Sequence, residues 1–265
     1  MKFENTHAYN FEGSLKGMRN PMNSWDKSDS FYGIVDLYDG NSLNDMAEKW
    51  GEENSYEWLK QNGVLRASDA YDGLFDVAFI GPNDMALAQK LILGGPEHAK
   101  FTRQIFVSVD ITAPLYWWKE FDTYKVGTVA NSTSTMHKLS AEPITMNMFE
   151  FDNLDIVVDE FSIPHGGDCC IIFSDYAEDI VDMCENLRLK FLATGDKSYW
   201  RSLIQILPNA YMQTRTVTMS YANLRNIYFQ RQHHKLKEWH QFCDWINTLP
   251  YSKELITLEA NNETN

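Results

Sequence analysis

Apolar and polar positions alternate along this chain with two different periods. From residue 101 to 112, Ile105, Val107, Val109 and Ile111 fall at every second position. A period of two puts all four on one face of a strand, and only Phe106 departs from it. Ala113-Pro114 ends that strand, and residues 115–123 follow as an aromatic helix. Elsewhere the period is helical. Past Gly81-Pro82, the residues Met85, Leu87, Ala88, Leu91 and Ile92 mark the apolar face of a helix. Asn83 or Asp84 would cap it and Gly94-Gly95 would end it. Leu43, Met46, Ala47 and Trp50 predict another, opened by Ser42 with Asp45 as a capping box and stopped at Gly51. Residues 56–61 predict a shorter helix, and residues 177–193, 197–207, 221–231 and 235–249 predict four more.

Three stretches read as extended or ambiguous. Residues 31–37 are a strand or a helix start, 74–80 form an apolar run, and 152–160 are acidic and extended. Residues 1–30, rich in Asn, Ser, Gly, Lys and Asp, predict an irregular lead-in, and 252–265 a frayed tail. No internal repeat, low-complexity block or linker interrupts the chain. The pattern predicts one α+β domain over residues 1–265 with helices in the majority.

Charge narrows the partners. The 265 residues carry 23 basic and 37 acidic side chains, a formal net of −14. Such a field repels phosphate backbones and anionic membranes, so neither nucleic acid nor a membrane is an expected partner. A local basic pocket for one small anion stays open. No run of about eighteen apolar residues is present to span a bilayer. The start, Met1-Lys2-Phe3-Glu4-Asn5, lacks the apolar core of a signal peptide. Cys169, Cys170, Cys184 and Cys243 form no CxxC pair and read as reduced, mostly core thiols. A cytoplasmic location is therefore expected. Aromatic residues make up 14%, enough to stack a flat ligand, although a ring-rich core is the commoner use.

Common catalytic fingerprints are silent: no Gly-rich phosphate loop, HExxH, GxSxG or DxDxDG occurs. His233 and His240 share a helix face but stand about 10 Å apart along its axis, too far to hold one metal. No metal is expected. Residues 127–134 are uncharged and dominated by Thr, Ser and Asn, with Lys125 and His137 flanking them. Such hydroxyls and amides suit a phosphate or a pyrimidine carbonyl, while composition alone favours an ordinary surface loop. Arg215, Arg225, Arg231 and Lys235 concentrate positive charge near the C-terminus. Arginine grips phosphate with a planar fork, and helix-face salt bridges account for the same residues.

Two segments together resemble the flavin-dependent thymidylate synthases. The first is His98-Ala99-Lys100-Phe101-Thr102-Arg103-Gln104, then the strand ending Ala113-Pro114 and the aromatic helix, reaching His137. In that family a His-Glu-Thr-Pro segment leads through such a strand and helix into Arg-His-Arg, seven residues and Ser. The second runs from Leu207-Pro208 through Thr214-Arg215 and Asn223-Leu224-Arg225 to Arg231 and Trp239. It is similar to the family's Leu-Pro, Thr-Arg and Asn-x-Arg elements. The likeness covers roughly half the chain by spacing and patterning.

What the resemblance implies is a helix-rich α+β domain with a small antiparallel sheet, assembled as a homotetramer that holds FAD between subunits. Methylenetetrahydrofolate supplies carbon, reduced flavin supplies hydride, NADPH is the further co-substrate, and dUMP is methylated to dTMP, or hydroxymethylated. Position by position, it places His98, Lys100, Arg103, Asn223 and Asn226 at the flavin. It places Arg231, Ser134, Asn131, Arg215 and Glu120 at the pyrimidine nucleotide. Catalysis falls to Arg231, Ser134 and Lys125. The family's Arg-His-Arg is Tyr124-Lys125-Val126 here, and its loop Glu and Arg are Ser132 and Met136. Two lost arginines remove charge-assisted bonds worth about 1.5–3 kcal/mol each. Two alternatives follow. The chain is a catalytically inactive, phage-encoded nucleotide-binding or assembly protein, or it acts on a cytosine nucleotide through Gln104, Glu120 and Asp122.

Overall fold

The computed structural model describes residues 1–36, 64–67, 74–163 and 167–259, with backbone alone at 64–67, 161–163 and 167–168. The helices expected at 42–51 and 56–61 lie outside the described residues. The fold is α+β, rich in helix, with small antiparallel sheets.

Strands β1 (Lys2–Tyr9), β5 (Phe106–Pro114), β9 (Met212–Ser220) and β6 (Val129–Ser132) form one sheet in the order β1-β5-β9-β6. The alternation read in the sequence is what builds β5: Val107, Val109, Ile111 and Ala113 have no solvent exposure, while Phe106 is 40% exposed. Strands β2 (Phe31–Asp36), β4 (Leu74–Phe79) and β3 (Val64–Ala67) form an antiparallel sheet ordered β2-β4-β3. The extended acidic stretch becomes β7 (Val157–Ile163), paired antiparallel with β8 (Gly167–Ile172).

The chain divides into two compact units, Met1–Asn5 with Val109–Val217, and Thr6–Ser108 with Thr218–Asn265. Each draws on separated stretches of sequence, so no linker composition marks a boundary. The first unit contains α3 (Leu115–Phe121), α4 (Phe173–Thr194) and α5 (Lys197–Ile206). Ala177, Val181, Cys184 and Arg188 are buried along one stripe of α4. Val181 and Cys184 pack with Leu139, Ile144, Phe149 and Leu203 as its core. Arg188 sits beside that core because Glu185 takes its guanidinium with both oxygens, at 2.6 and 2.7 Å, and also accepts the Ile144 N–H. Burial pushes the Cys184 thiol up to about 11, so the core thiol stays protonated.

The second unit contains α1 (Phe11–Arg19), α2 (Pro82–Leu93), α6 (Tyr221–Arg231), α7 (Lys237–Asn247) and α8 (Ser252–Leu255). Tyr221, Leu224, Trp239, Phe242, Ile246 and Leu255 have no exposure and make its centre. The Tyr221 hydroxyl donates to the Pro250 carbonyl at 2.6 Å, so the ring is buried without losing its polar bond.

Three expectations are corrected. Residues 1–30 are not an irregular lead-in: they hold β1, α1 and two 3-10 turns, Asn20–Met22 and Trp25–Lys27. Phe11, Leu15 and Met18, spaced four and three apart, are the buried stripe of α1. The stretch from 252 is not frayed at its start, since Ser252, Leu255 and Ile256 are buried; residues 260–265 lie outside the described residues. Finally, neither Asn83 nor Asp84 caps α2. Its N-cap is Gly81, and the free N–H groups of Asn83 and Asp84 donate to the carboxylate of Asp29, at 2.8 and 3.1 Å.

Candidate functional site

The second unit contains a cavity of about 1180 Å³, larger than most small-molecule sites. Three segments wall it: the end of α1 with residues 20–29, one face of α2, and residues 97–104 around the 3-10 helix Ala99–Arg103. Met18, Met22, Leu87, Leu91 and Phe101 supply apolar surface. Lys27 and Lys100 line the cavity together with Asp26, Asp29 and Glu97, while the Arg19 charge is already paired with Asp84.

Close approach shapes the walls. Asn10, in the left-handed region at φ 66°, donates from its side chain to the Gln104 carbonyl at 2.9 Å. The Gln104 amide then lies over Gly17, where an added Cβ would meet its Oε1 at 2.8 Å. Glycine inside α1 is thus what lets the two walls approach. At Gly81 an added Cβ would meet the Asp29 carboxylate at 2.3 Å and its backbone oxygen at 2.5 Å.

Beneath the cavity lies a buried ion pair. Arg19 Nε donates to Asp84 Oδ1 at 2.5 Å, with the two side chains 6% and 0% exposed. Asp84 Oδ2 accepts from the Ser28 and Ser30 hydroxyls at 2.6 and 2.5 Å, and from the Ser30 N–H at 3.3 Å. Burial opposes ionisation of this carboxyl, but the bonds from Ser28, Ser30 and Arg19 outweigh it and hold its pKa below the ordinary value. The remaining Arg19 nitrogens donate to the Ser24 and Lys27 carbonyls at 3.3 and 3.1 Å. The cluster is therefore fully bonded, as a buried charge requires.

Of the residues the resemblance places at the flavin, His98 and Lys100 line this cavity, and both are exposed to it. Arg103, also exposed, ends the same 3-10 helix. Asn223 and Asn226 lie on α6 instead. Asn223 forms a reciprocal capping box with Ser220, its Oδ1 accepting the Ser220 hydroxyl at 2.6 Å, while Asn226 Oδ1 accepts from Gln230 at 2.8 Å. Arg231, at the end of α6, holds its guanidinium 4.7 Å from the centre of the buried Trp239 ring.

The other residues that the resemblance places at the nucleotide belong to the first unit. Arg215 lies 4.3 Å above the Trp118 ring, donates to Asp122 at 2.8 Å and to Gln213 Oε1 at 3.0 Å. Gln213 in turn donates to the Thr133 carbonyl at 2.9 Å, and the Thr133 N–H bonds the Thr214 carbonyl at 2.9 Å. Ser134 accepts the His137 N–H at 3.0 Å, and Trp200 donates to the Met136 carbonyl at 2.8 Å. The Thr/Ser/Asn stretch is thus not the surface loop its composition suggested: Val129–Ser132 is strand β6, and the residues after it are tethered. Glu120 is half-buried on α3, while Lys125 and Asn131 are exposed. Thr128 Oγ1, just before β6, is buried with no partner among the described residues.

Residues 20–29 are a wall of the cavity that sequence reading missed, as is the buried Asp84 behind it. The Phe11, Leu15, Met18 spacing was the available signal for the preceding helix. Nothing local announces a wall made by a 3-10 turn. Among the described residues, no group of three or more His, Cys, Asp or Glu could hold a metal ion, and no helix is long and apolar enough to cross a membrane.

No protein-family model and no curated protein matches this sequence. Solved structures do. The crystal structure of thymidylate synthase X (ThyX) from Helicobacter pylori with FAD and dUMP is similar over 97% of this chain and 97% of its own, at TM-score 0.57 and 13% identity. Another H. pylori ThyX structure, also complexed with FAD and dUMP, gives 0.54 and 13% over 97% and 98%. A UMP/dUMP methylase, PolB from Streptomyces cacaoi bound with 5-Br dUMP, gives 0.48 and 12% over 87% and 96%. At such identities the two ThyX structures speak to architecture alone, and they do so over almost the whole length: this chain has a ThyX-like fold.

Proposed function

We propose that this protein is a flavin-dependent thymidylate synthase-like enzyme that binds FAD and a pyrimidine deoxynucleotide. It methylates dUMP with a folate one-carbon donor and NADPH as reductant, and works as a homotetramer. The observation that carries this reading is the cavity of about 1180 Å³ lined by His98 and Lys100. The resemblance assigns those residues to the flavin, and the ThyX-like fold points the same way. Apolar surface from Leu87, Leu91 and Phe101 suits a flat ring, and Lys27 and Lys100 suit phosphate. Reduced FAD supplies the hydride when bound. The chain's own part is to orient it: His98 and Gln104 at polar edges, Lys100 at negative charge. Arg231 and Ser134 would take the nucleotide, with Lys125 lending charge where the family carries His.

A second reading is favoured by Tyr124-Lys125-Val126, where Val126 is 88% exposed in place of a phosphate-gripping arginine. On that reading the fold serves as a nucleotide-binding or assembly protein without turnover. Absorption spectroscopy separates the two. Purified protein incubated with FAD and desalted should retain bands near roughly 370 and 450 nm, and dUMP should perturb them. Protein that emerges colourless, whatever the loading conditions, removes the enzyme reading and leaves the second.

A further inference from the structure

Residues 20–29 wall the cavity without an apolar anchor of their own. Neither of their 3-10 turns contains a buried residue, and Met22 and Trp25 are 82% and 48% exposed. An irregular segment with no core residues is held by its polar bonds or not held at all. Asp29 bonds the first turn of α2, and the bonds at Ser24, Lys27 and Ser28 converge on one carboxylate. Asp84 takes the Ser28 and Ser30 hydroxyls directly, and through Arg19 it fixes the Ser24 and Lys27 carbonyls. The Ser30 hydroxyl also accepts the Gly81 N–H at 3.1 Å, tying the segment to the start of α2. Asp84 itself is fully buried and does not line the cavity.

We propose that Asp84 is a positioning residue for the cavity: acting through Arg19, Ser28 and Ser30, it sets where the 20–29 wall stands, and so how tightly the cavity holds its ligand. This rests on the reading of the cavity as the flavin site. The separation is large in sequence, 65 residues from Arg19 and 54 from Ser30, so the wall and its anchor meet only in the folded unit. Arg19 alone cannot serve, since an unpaired buried guanidinium is itself unstable there.

The test uses the full chain with Asp84→Asn, Ser30→Ala and Ser30→Thr, read by flavin titration and by hydrogen exchange. Ser30→Ala guards against failure of Asp84→Asn to fold. Both are expected to weaken FAD by about tenfold or more, the equivalent of a lost hydrogen bond to a charged group. In Ser30→Ala, exchange should quicken at amides 20–30 while α6 and α7 keep their protection. Ser30→Thr, which keeps the hydroxyl, should restore both. Unchanged affinity and exchange in Ser30→Ala would overturn the proposal. So would exchange that rises evenly through the unit in that variant, the mark of a residue that only stabilises. If the wild-type chain takes no FAD, the flavin reading fails by itself, and the exchange pattern still decides whether Asp84 holds the wall.

Discussion

Arg231 and Arg215 carry the same charge and are spent differently. Arg215 is engaged on three sides, by the Trp118 ring, Asp122 and Gln213, and its work is to join α3 to β9 and the 133–138 loop. Arg231 is half-buried at the end of α6 with its guanidinium against Trp239. A cation over an aromatic ring contributes about 0.5–1 kcal/mol at a partly exposed site, and a charge-assisted bond to phosphate about 1.5–3. Arg231→Ala should therefore weaken dUMP binding roughly tenfold to a hundredfold while shifting the melting midpoint only a few degrees. Calorimetric titration beside a thermal melt measures both, and an unaltered dUMP affinity removes Arg231 from the site. Residue types were legible in the sequence, but their employment was not. Asn223, the Asn of the Asn-x-Arg element, also closes a capping box with Ser220, a use its type and spacing do not announce.

Helix α2 shows the same division at the scale of an element. Its apolar face was readable from Leu87, Ala88, Leu91 and Ile92, because a 3.6-residue period is a local property. Its cap was not, because Asp29 arrives from more than fifty residues upstream. The carboxylate satisfies two amides and faces the positive end of the helix dipole, an arrangement worth about 0.5–2 kcal/mol. Asp29→Ala should cost that much, read by denaturant unfolding. Gly81→Ala should cost at least as much although φ there is an ordinary −67°, since its Cβ would strike the Asp29 carboxylate and carbonyl. If the alanine at 81 is tolerated without loss, the close packing of Asp29 on this turn is wrong. Helix α1 escaped notice for a related reason. Gly13 and Gly17 lower helix propensity, while the packing of Gln104 over Gly17 demands the missing side chain.

For the molecule as a whole, the acidic composition sets the response to pH. Asp84 is held below the ordinary carboxylate value, as are Asp110 through Asn5 and Thr216, and Glu185 through Arg188. A carboxyl whose folded pKa is lowered binds fewer protons folded than unfolded, so its contribution grows with pH in the acid range. It is complete above the unfolded value of about 3.9–4.3 and is lost as pH falls through the lower folded value. Asp84→Asn should therefore flatten the acid limb of stability against pH. At neutral pH it should cost about 3–5 kcal/mol, because it leaves Arg19 buried without its counter-charge. Chemical unfolding followed from pH 7 to 3 reads both effects, and a limb as steep as that of wild type would show that Asp84 is not the group being titrated.

By itself the sequence determined the elements whose cause is local: the two-residue period of β5, the apolar face of α2, the helices α4, α6 and α7, and a formal net charge of −14. It also carried enough spacing to anticipate the fold and to bring His98 and Lys100 forward. Only the tertiary structure decided which polar residues are committed to holding the chain together and which line a cavity. The bonds that decide this join Arg19 to Asp84, Asp29 to the first turn of α2, and Arg215 to Asp122, across 54 to 93 residues. Pattern along a chain reports neighbours within a turn or a pleat, whereas a cavity wall is made by residues that folding alone makes neighbours.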